Sequence, residues 1–138
     1  MMAIPESAEA MKSTTALSAG RVLRAFAYSL KGLTTAWRDE PAFRQECALL
    51  AVLAPLTLWL QLPLFESVFL FSLMLAVLIV ELLNSGLEAL ADKTSPEFHP
   101  LAGKAKDCGS AAVLLALVAL VASWILLAGP ALWQKAAN

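Results

Sequence analysis

Apolar positions along this chain gather into four stretches, and polar residues interrupt them at helical intervals. In the first, Arg21 to Trp37 (RVLRAFAYSLKGLTTAW), Val22, Phe26, Ser29 and Leu33 share one face, flanked by Leu23, Leu30 and Trp37. Arg21, Arg24 and Lys31 fall partly outside that face. This pattern predicts an amphipathic helix lying in the headgroup layer, with a solvated helix packed on other helices as the alternative. The other three stretches read as membrane spans, at about residues 43–65, 67–91 and 107–133. Pro55 predicts a kink in the first span. The short Gln61-Leu62-Pro63 turn makes the first two an antiparallel helical hairpin. A polar connection, Asp92–Ser110, broken by Pro96, Pro100 and Gly103, leads to the third. Residues 1–20, rich in Ala, Ser, Thr and Glu, read as a flexible tail without the apolar core of a cleavable signal. The expectation is an all-α membrane protein, with three transmembrane helices and an N-terminal amphipathic surface helix in a single domain over residues 21–133.

Composition sharpens this. Of 138 residues, 59% are hydrophobic and 15% charged, against roughly half and a quarter in soluble domains. A formal net charge of −1 gives no reason to expect a nucleic-acid partner. Cys47 and Cys108 have neither CxxC nor metal-ligand spacing and read as small packing residues. Trp37, Trp59 and Trp133 fall near span ends, where amphipathic rings favour the interface. Charge placement gives a topology. Lys12, Arg21, Arg24, Lys31, Arg38 and Arg44 precede or open the first span, Lys93, Lys104 and Lys106 lie in the second connection, and only Lys135 lies beyond the third span. The positive-inside rule then puts the amino terminus and the 92–106 loop in the cytoplasm.

The candidate chemistry is a row of acids inside the second span. Glu88 and Asp92 each fall within about 20° of Glu81 on a helical wheel, with Asn84 one side-chain row away. An unpaired charge near the bilayer centre costs at least ~2.5–3.5 kcal/mol, so such residues usually face a protein interior. The row runs from Glu81, the deepest, to Asp92, about 16 Å further along the helix at the cytoplasmic interface. Glu46 at the start of the first span lies in the same layer, as do Lys106, Asp107 and Ser110 at the start of the third. Magnesium is usually held by one or two carboxylates plus substrate phosphates, a task open to Glu46 and Glu88. Lys106 suits a polyphosphate, Asn84 a phosphate oxygen or a carboxylate, and Ser110 supplies a hydroxyl. Glu81 is best placed to meet a lipid headgroup hydroxyl as a general base. Asp107 has a plainer reading, as an acid near the positive end of a helix. No Walker motif or kinase glycine loop is present. On chemistry alone the readings are phosphoryl transfer from MgATP to a lipid alcohol, an ion-coupled or ion-conducting oligomer, and a purely structural set of ion pairs.

Four blocks narrow the choice: GRVLRAFAYSLKGLTTAW, EPAFRQE, ELLNSGLEALADK and EFHPLAGKAKDCGSAAVL. In order and spacing they resemble the bacterial integral-membrane diacylglycerol kinases, collinearly from about Gly20 to Trp133. The most specific are E-x-x-N-[ST]-x-x-E-x-x-x-D, here Glu81 to Asp92, and A-K-D-x-x-[SA]-A, here Ala105 to Ala111. The resemblance implies a homotrimer of three-span protomers in the bacterial inner membrane, with active sites between subunits at the cytoplasmic surface. It implies MgATP as phosphate donor and diacylglycerol as acceptor. Undecaprenol is the acceptor in a sister branch. By motif, Glu81 resembles the catalytic base and Glu46 and Glu88 the metal-holding carboxylates. Asn84, Asp92, Lys106 and Asp107 match polar positions of the nucleotide and substrate site, and Arg21, Ser29 and Ser110 match positions near the substrates. Three positions depart from the family pattern. Phe98 replaces a common Tyr, Gly86 replaces a usual Ala and would permit closer helix packing, and Pro100 would stiffen the loop. His99, without metal-ligand partners in sequence, reads as a loop residue.

Overall fold

The computed structural model describes residues 19–94 and 99–137, and these residues are helical almost throughout. The elements are α1 (Ala19–Asp39), α2 (Pro41–Leu60), α3 (Leu64–Thr94) and α4 (Pro100–Ser123), then a π-helical turn (Trp124–Ala128) and α5 (Gly129–Ala137). Three helices are long and apolar enough to cross a membrane: Pro41–Leu60, Leu64–Thr94, and the continuous Pro100–Ala137. The expected tail lies outside the described residues, except that α1 starts at Ala19. Phe98 and Pro96 also lie outside them.

The chain divides into two compact units, through Thr35 and from Ala36 onward. The described part of the first is the greater part of α1, where Ser29 and Thr34 return their hydroxyls to the carbonyls of Ala25 and Leu30. In the second unit, α3 packs most extensively on α4 and then on α2.

Local signals set the helix ends. α2 starts at Pro41, whose missing N–H costs nothing in a first turn. It continues through Pro55, so that proline does not end the span. It stops at Gln61, which takes left-handed backbone angles (φ 55°, ψ 42°), and Pro63 follows two residues later. The third span begins seven residues before the expected 107, at Pro100. His99 caps it: its Nδ1 accepts from the Leu101 N–H at 3.2 Å. His99 and Pro100 thus start a helix where the sequence suggested a stiffened loop.

The core joins Leu60 at the end of α2, Leu70, Met74 and Val77 on α3, and Leu120 and Ala128 toward the end of the third span. Leu70, Met74 and Val77 lie within about 40° of Glu81 around the helix axis. One face of α3 is therefore buried from Leu70 to Glu81, apolar as far as Val77, and Asn84 and Glu88 continue it half-buried.

Candidate active site

Where that face turns polar, a cleft of about 530 Å³ opens between the start of α2, the second half of α3 and the first half of α4. Glu81, Asn84 and Glu88 line it from α3, and Ser110 and Val113 from α4. Glu40, Pro41, Ala42 and Gln45 close it from α2. The spacing of 81, 84 and 88 follows the helical repeat, which is why these three share a wall.

Glu81 is only 3% exposed and Glu46 7%, although both are acids. Glu46 lies near enough to Glu81 for their charges to interact, and Glu81 likewise feels Glu40 and Glu88. Among the described residues two ion pairs form, Arg38–Asp39 at 2.7 Å and Lys106–Asp92 at 2.5 Å, and neither includes one of these four glutamates. Arg44, the basic residue next to them in sequence, is committed elsewhere. Its Nη1 donates to the carbonyls of Trp37 and Arg38, at 2.9 and 3.0 Å, and so closes the end of α1. Arg38, hydrogen-bonded to Asp39, holds that carboxyl below the usual carboxylate range.

Hydrogen bonding in and behind the cleft is incomplete. Asn84 Nδ2 donates to Glu88 Oε1 at 3.2 Å. Two acceptor atoms, Glu46 Oε2 and Asn84 Oδ1, are buried without a donor, as is the hydroxyl of Ser85. Buried acceptors of this kind call for a cation or a donor from outside the chain. Among the described residues no three His, Cys, Asp or Glu side chains form a ready-made metal cluster. The all-oxygen set present nonetheless fits magnesium, which takes few protein carboxylates and completes its shell with phosphates and water.

The expected site residues divide accordingly. Glu81, Asn84, Glu88 and Ser110 meet at the cleft. Asp92 and Lys106 pair one helical turn beyond Glu88 and one turn before Ser110, and Lys106 also feels the charge of Glu88. Glu46 sits close to Glu81 but does not line the cleft. Asp107 is exposed on α4 and is not among the lining residues. Arg21 and Ser29 belong to the first unit, both exposed. Gly86 does not mediate a close approach within the chain, because a Cβ there would meet nothing within 4 Å. Glu40, Gln45, Ser85 and Gly109 carried no expectation from sequence. For Ser85 a signal existed, since it lies only about 40° from Glu81 on the wheel. Glu40 stands before the helix, where periodicity says nothing.

Residues 27–128, from within α1 to the end of the π-helical turn, match the family of prokaryotic diacylglycerol kinases. The chain belongs to that family. The matched range contains every candidate residue except Arg21. Similar proteins named diacylglycerol kinase include one from Escherichia coli K12, 44% identical over 107 residues, spanning 78% of this chain and 88% of that one. One from Haemophilus influenzae is 41% identical over 114 residues, spanning 83% and 95%. One from Pseudomonas aeruginosa is 45% identical over 104 residues, spanning 75% and 85%. This prokaryotic diacylglycerol kinase family member therefore matches nearly whole chains of its relatives.

Proposed function

We propose that the chain is a lipid kinase that transfers the γ-phosphate of ATP to the free hydroxyl of diacylglycerol, giving phosphatidic acid. The observation that carries this reading is the cleft itself. Unpaired acids line a site where apolar spans meet the polar layer, in a chain of the prokaryotic diacylglycerol kinase family. In phosphoryl transfer the protein chiefly positions the reactants and balances charge. Glu81, deepest and against the apolar core, accepts the proton of the lipid hydroxyl as its oxygen attacks phosphorus. Glu88 faces the incoming phosphates. On α2, Glu46 is the partner carboxylate suggested by motif, but it is buried, whereas Glu40 opens onto the cleft. Magnesium gives up water reluctantly, which favours Glu40 beside Glu88 and leaves Glu46 supporting Glu81 from behind. A bound magnesium would neutralise the phosphates. Asn84 orients Glu88, Lys106 and Asp92 receive the distal part of the nucleotide, and Ser110 donates a hydroxyl, while Arg21, Ser29 and Asp107 are assigned to substrate binding by motif alone. The proposal includes α1 as an amphipathic surface helix, residence in the bacterial inner membrane, and a homotrimer whose neighbouring subunit completes each cleft.

The test is phosphate transfer from labelled ATP by the purified chain in mixed micelles, with diacylglycerol and undecaprenol offered side by side, in magnesium or in chelator. Magnesium-dependent phosphatidic acid is expected. Preference for the polyprenol would move the enzyme to the sister branch. Transfer to neither lipid by folded protein would overturn the kinase reading and make ion conduction the next measurement.

A further inference from the structure

At Gly32, Gly86 and Gly129 an added Cβ would meet nothing within 4 Å. Gly109 differs. It is buried on α4, and a Cβ built there runs into Oδ1 of Asn84, with Asn84 Cγ at 3.2 Å and Leu87 Cδ2 at 3.4 Å. The asparagine oxygen thus occupies the place a side chain at 109 would take. That same oxygen is one of the buried acceptors without a donor, while the other end of the amide donates to Glu88. Turning the amide over would set its oxygen against the Glu88 carboxylate, so the observed orientation keeps the bond to Glu88 and needs the space that Gly109 leaves open on α4.

We infer that Gly109 is a positioning residue: the absence of a side chain at 109 seats the Asn84 amide so that its N–H holds Glu88 toward the cleft. The chain of contact is α4 backbone, Asn84, Glu88. A methyl group at 109 has two outlets. Either Asn84 rotates and releases Glu88, or α4 moves away from α3 and widens the cleft. Both change how Glu88 is presented to phosphates and metal, and hydrogen-bonded supports of ligating carboxylates commonly alter metal affinity or activity about 10- to 100-fold. Alanine is intrinsically the better helix former, so a loss at this position reports the collision rather than weakened helix.

This inference rests on the kinase reading for its kinetic consequence but not for its geometry, and the experiment separates the two. The purified full-length chain is compared with Gly109→Ala, with Asn84→Ala, with the double variant, and with Gly86→Ala as a glycine whose Cβ position is open. The sequence has two asparagines, Asn84 and Asn138, so labelling with ¹⁵N-asparagine gives a readable side-chain amide spectrum without nucleotide. Gly109→Ala is expected to shift the Asn84 amide resonances and to raise the half-saturating magnesium concentration about tenfold, while Gly86→Ala does neither. In thermal midpoint, Gly109→Ala is expected to lower the stability of the parent but not that of Asn84→Ala. If Gly109→Ala alone does not fold, the double variant should fold, because the colliding amide is gone. Unshifted resonances with parental magnesium dependence overturn the inference, as does a full Gly109→Ala defect in the Asn84→Ala background. If the parent transfers no phosphate to either lipid, the kinase reading fails, and the resonances and thermal cycle still decide the role of Gly109.

Discussion

Glu81 occupies the position where the buried face of α3 changes character, with Val77 below it and Asn84 and Glu88 above. A general base needs a pocket that excludes bulk water on one side and admits substrate on the other, and this boundary supplies both. Glu81→Gln keeps the shape and removes the proposed base. Phosphate transfer should fall about 10²- to 10⁴-fold, with an unchanged elution profile in detergent. Full activity in that variant would remove Glu81 from the role. The Lys106–Asp92 pair calls for a different expectation, because the two side chains are 38% and 68% exposed. An ion pair so open to water contributes little to stability, because solvent screens it and fixing two long side chains costs entropy. Lys106→Gln should therefore leave the thermal midpoint nearly unchanged while raising KM for ATP. A large loss of stability with unaltered KM would make the pair structural. At this scale, Glu81, Asn84 and Glu88 were legible because one continuous helix fixes their relative directions. Glu40 was not, because its direction depends on how α2 meets α3.

Helices carry the site, and their ends explain what sequence periodicity missed. The third span was expected from residue 107, since Pro96, Pro100 and Gly103 read as breaks in a polar connection. The His99 cap and Pro100 nevertheless start the helix early, and that extra length is what brings Lys106 onto an ordered turn facing Asp92. At the opposite end, Lys135 on α5 donates from Nζ to the carbonyl of Trp59 at 2.7 Å and sits 4.4 Å from the centre of its ring. A cation at the closing carbonyls of α2 complements the negative end of that helix. The contact ties the first span to the third across the core of Leu60, Leu70 and Leu120. Lys135→Met should lower stability by ~1 kcal/mol, the scale of an exposed cation–π contact, read as a drop in thermal midpoint with kinase activity retained. Loss of activity without loss of stability would mean that this end communicates with the cleft.

Within the second unit, basic residues and the cleft fall at the same end of the helices. In sequence, nine of the ten basic residues precede or open the first span or fall between Lys93 and Lys106, at the end of α3 and the start of α4, and the tenth, Lys135, is engaged with Trp59 at the other end. The cleft lies at the basic end, beside Lys106 and Asp92. By the positive-inside rule that end is expected in the cytoplasm, where ATP would be available to the proposed kinase. Nothing in the helices themselves distinguishes one orientation from its inverse, since apolar spans read alike in both directions. Orientation thus rests on charge alone and deserves its own measurement. Cys108 is exposed, next to Asp107 on the cleft-bearing part of α4, whereas Cys47 is partly buried. In a Cys47→Ser background, a membrane-impermeant maleimide should label Cys108 in inverted membrane vesicles and spare it in intact spheroplasts. The reverse pattern would place the cleft on the outer side. A kinase drawing on cytoplasmic ATP could not work from there, so that result would count against the proposed reaction as well as the topology.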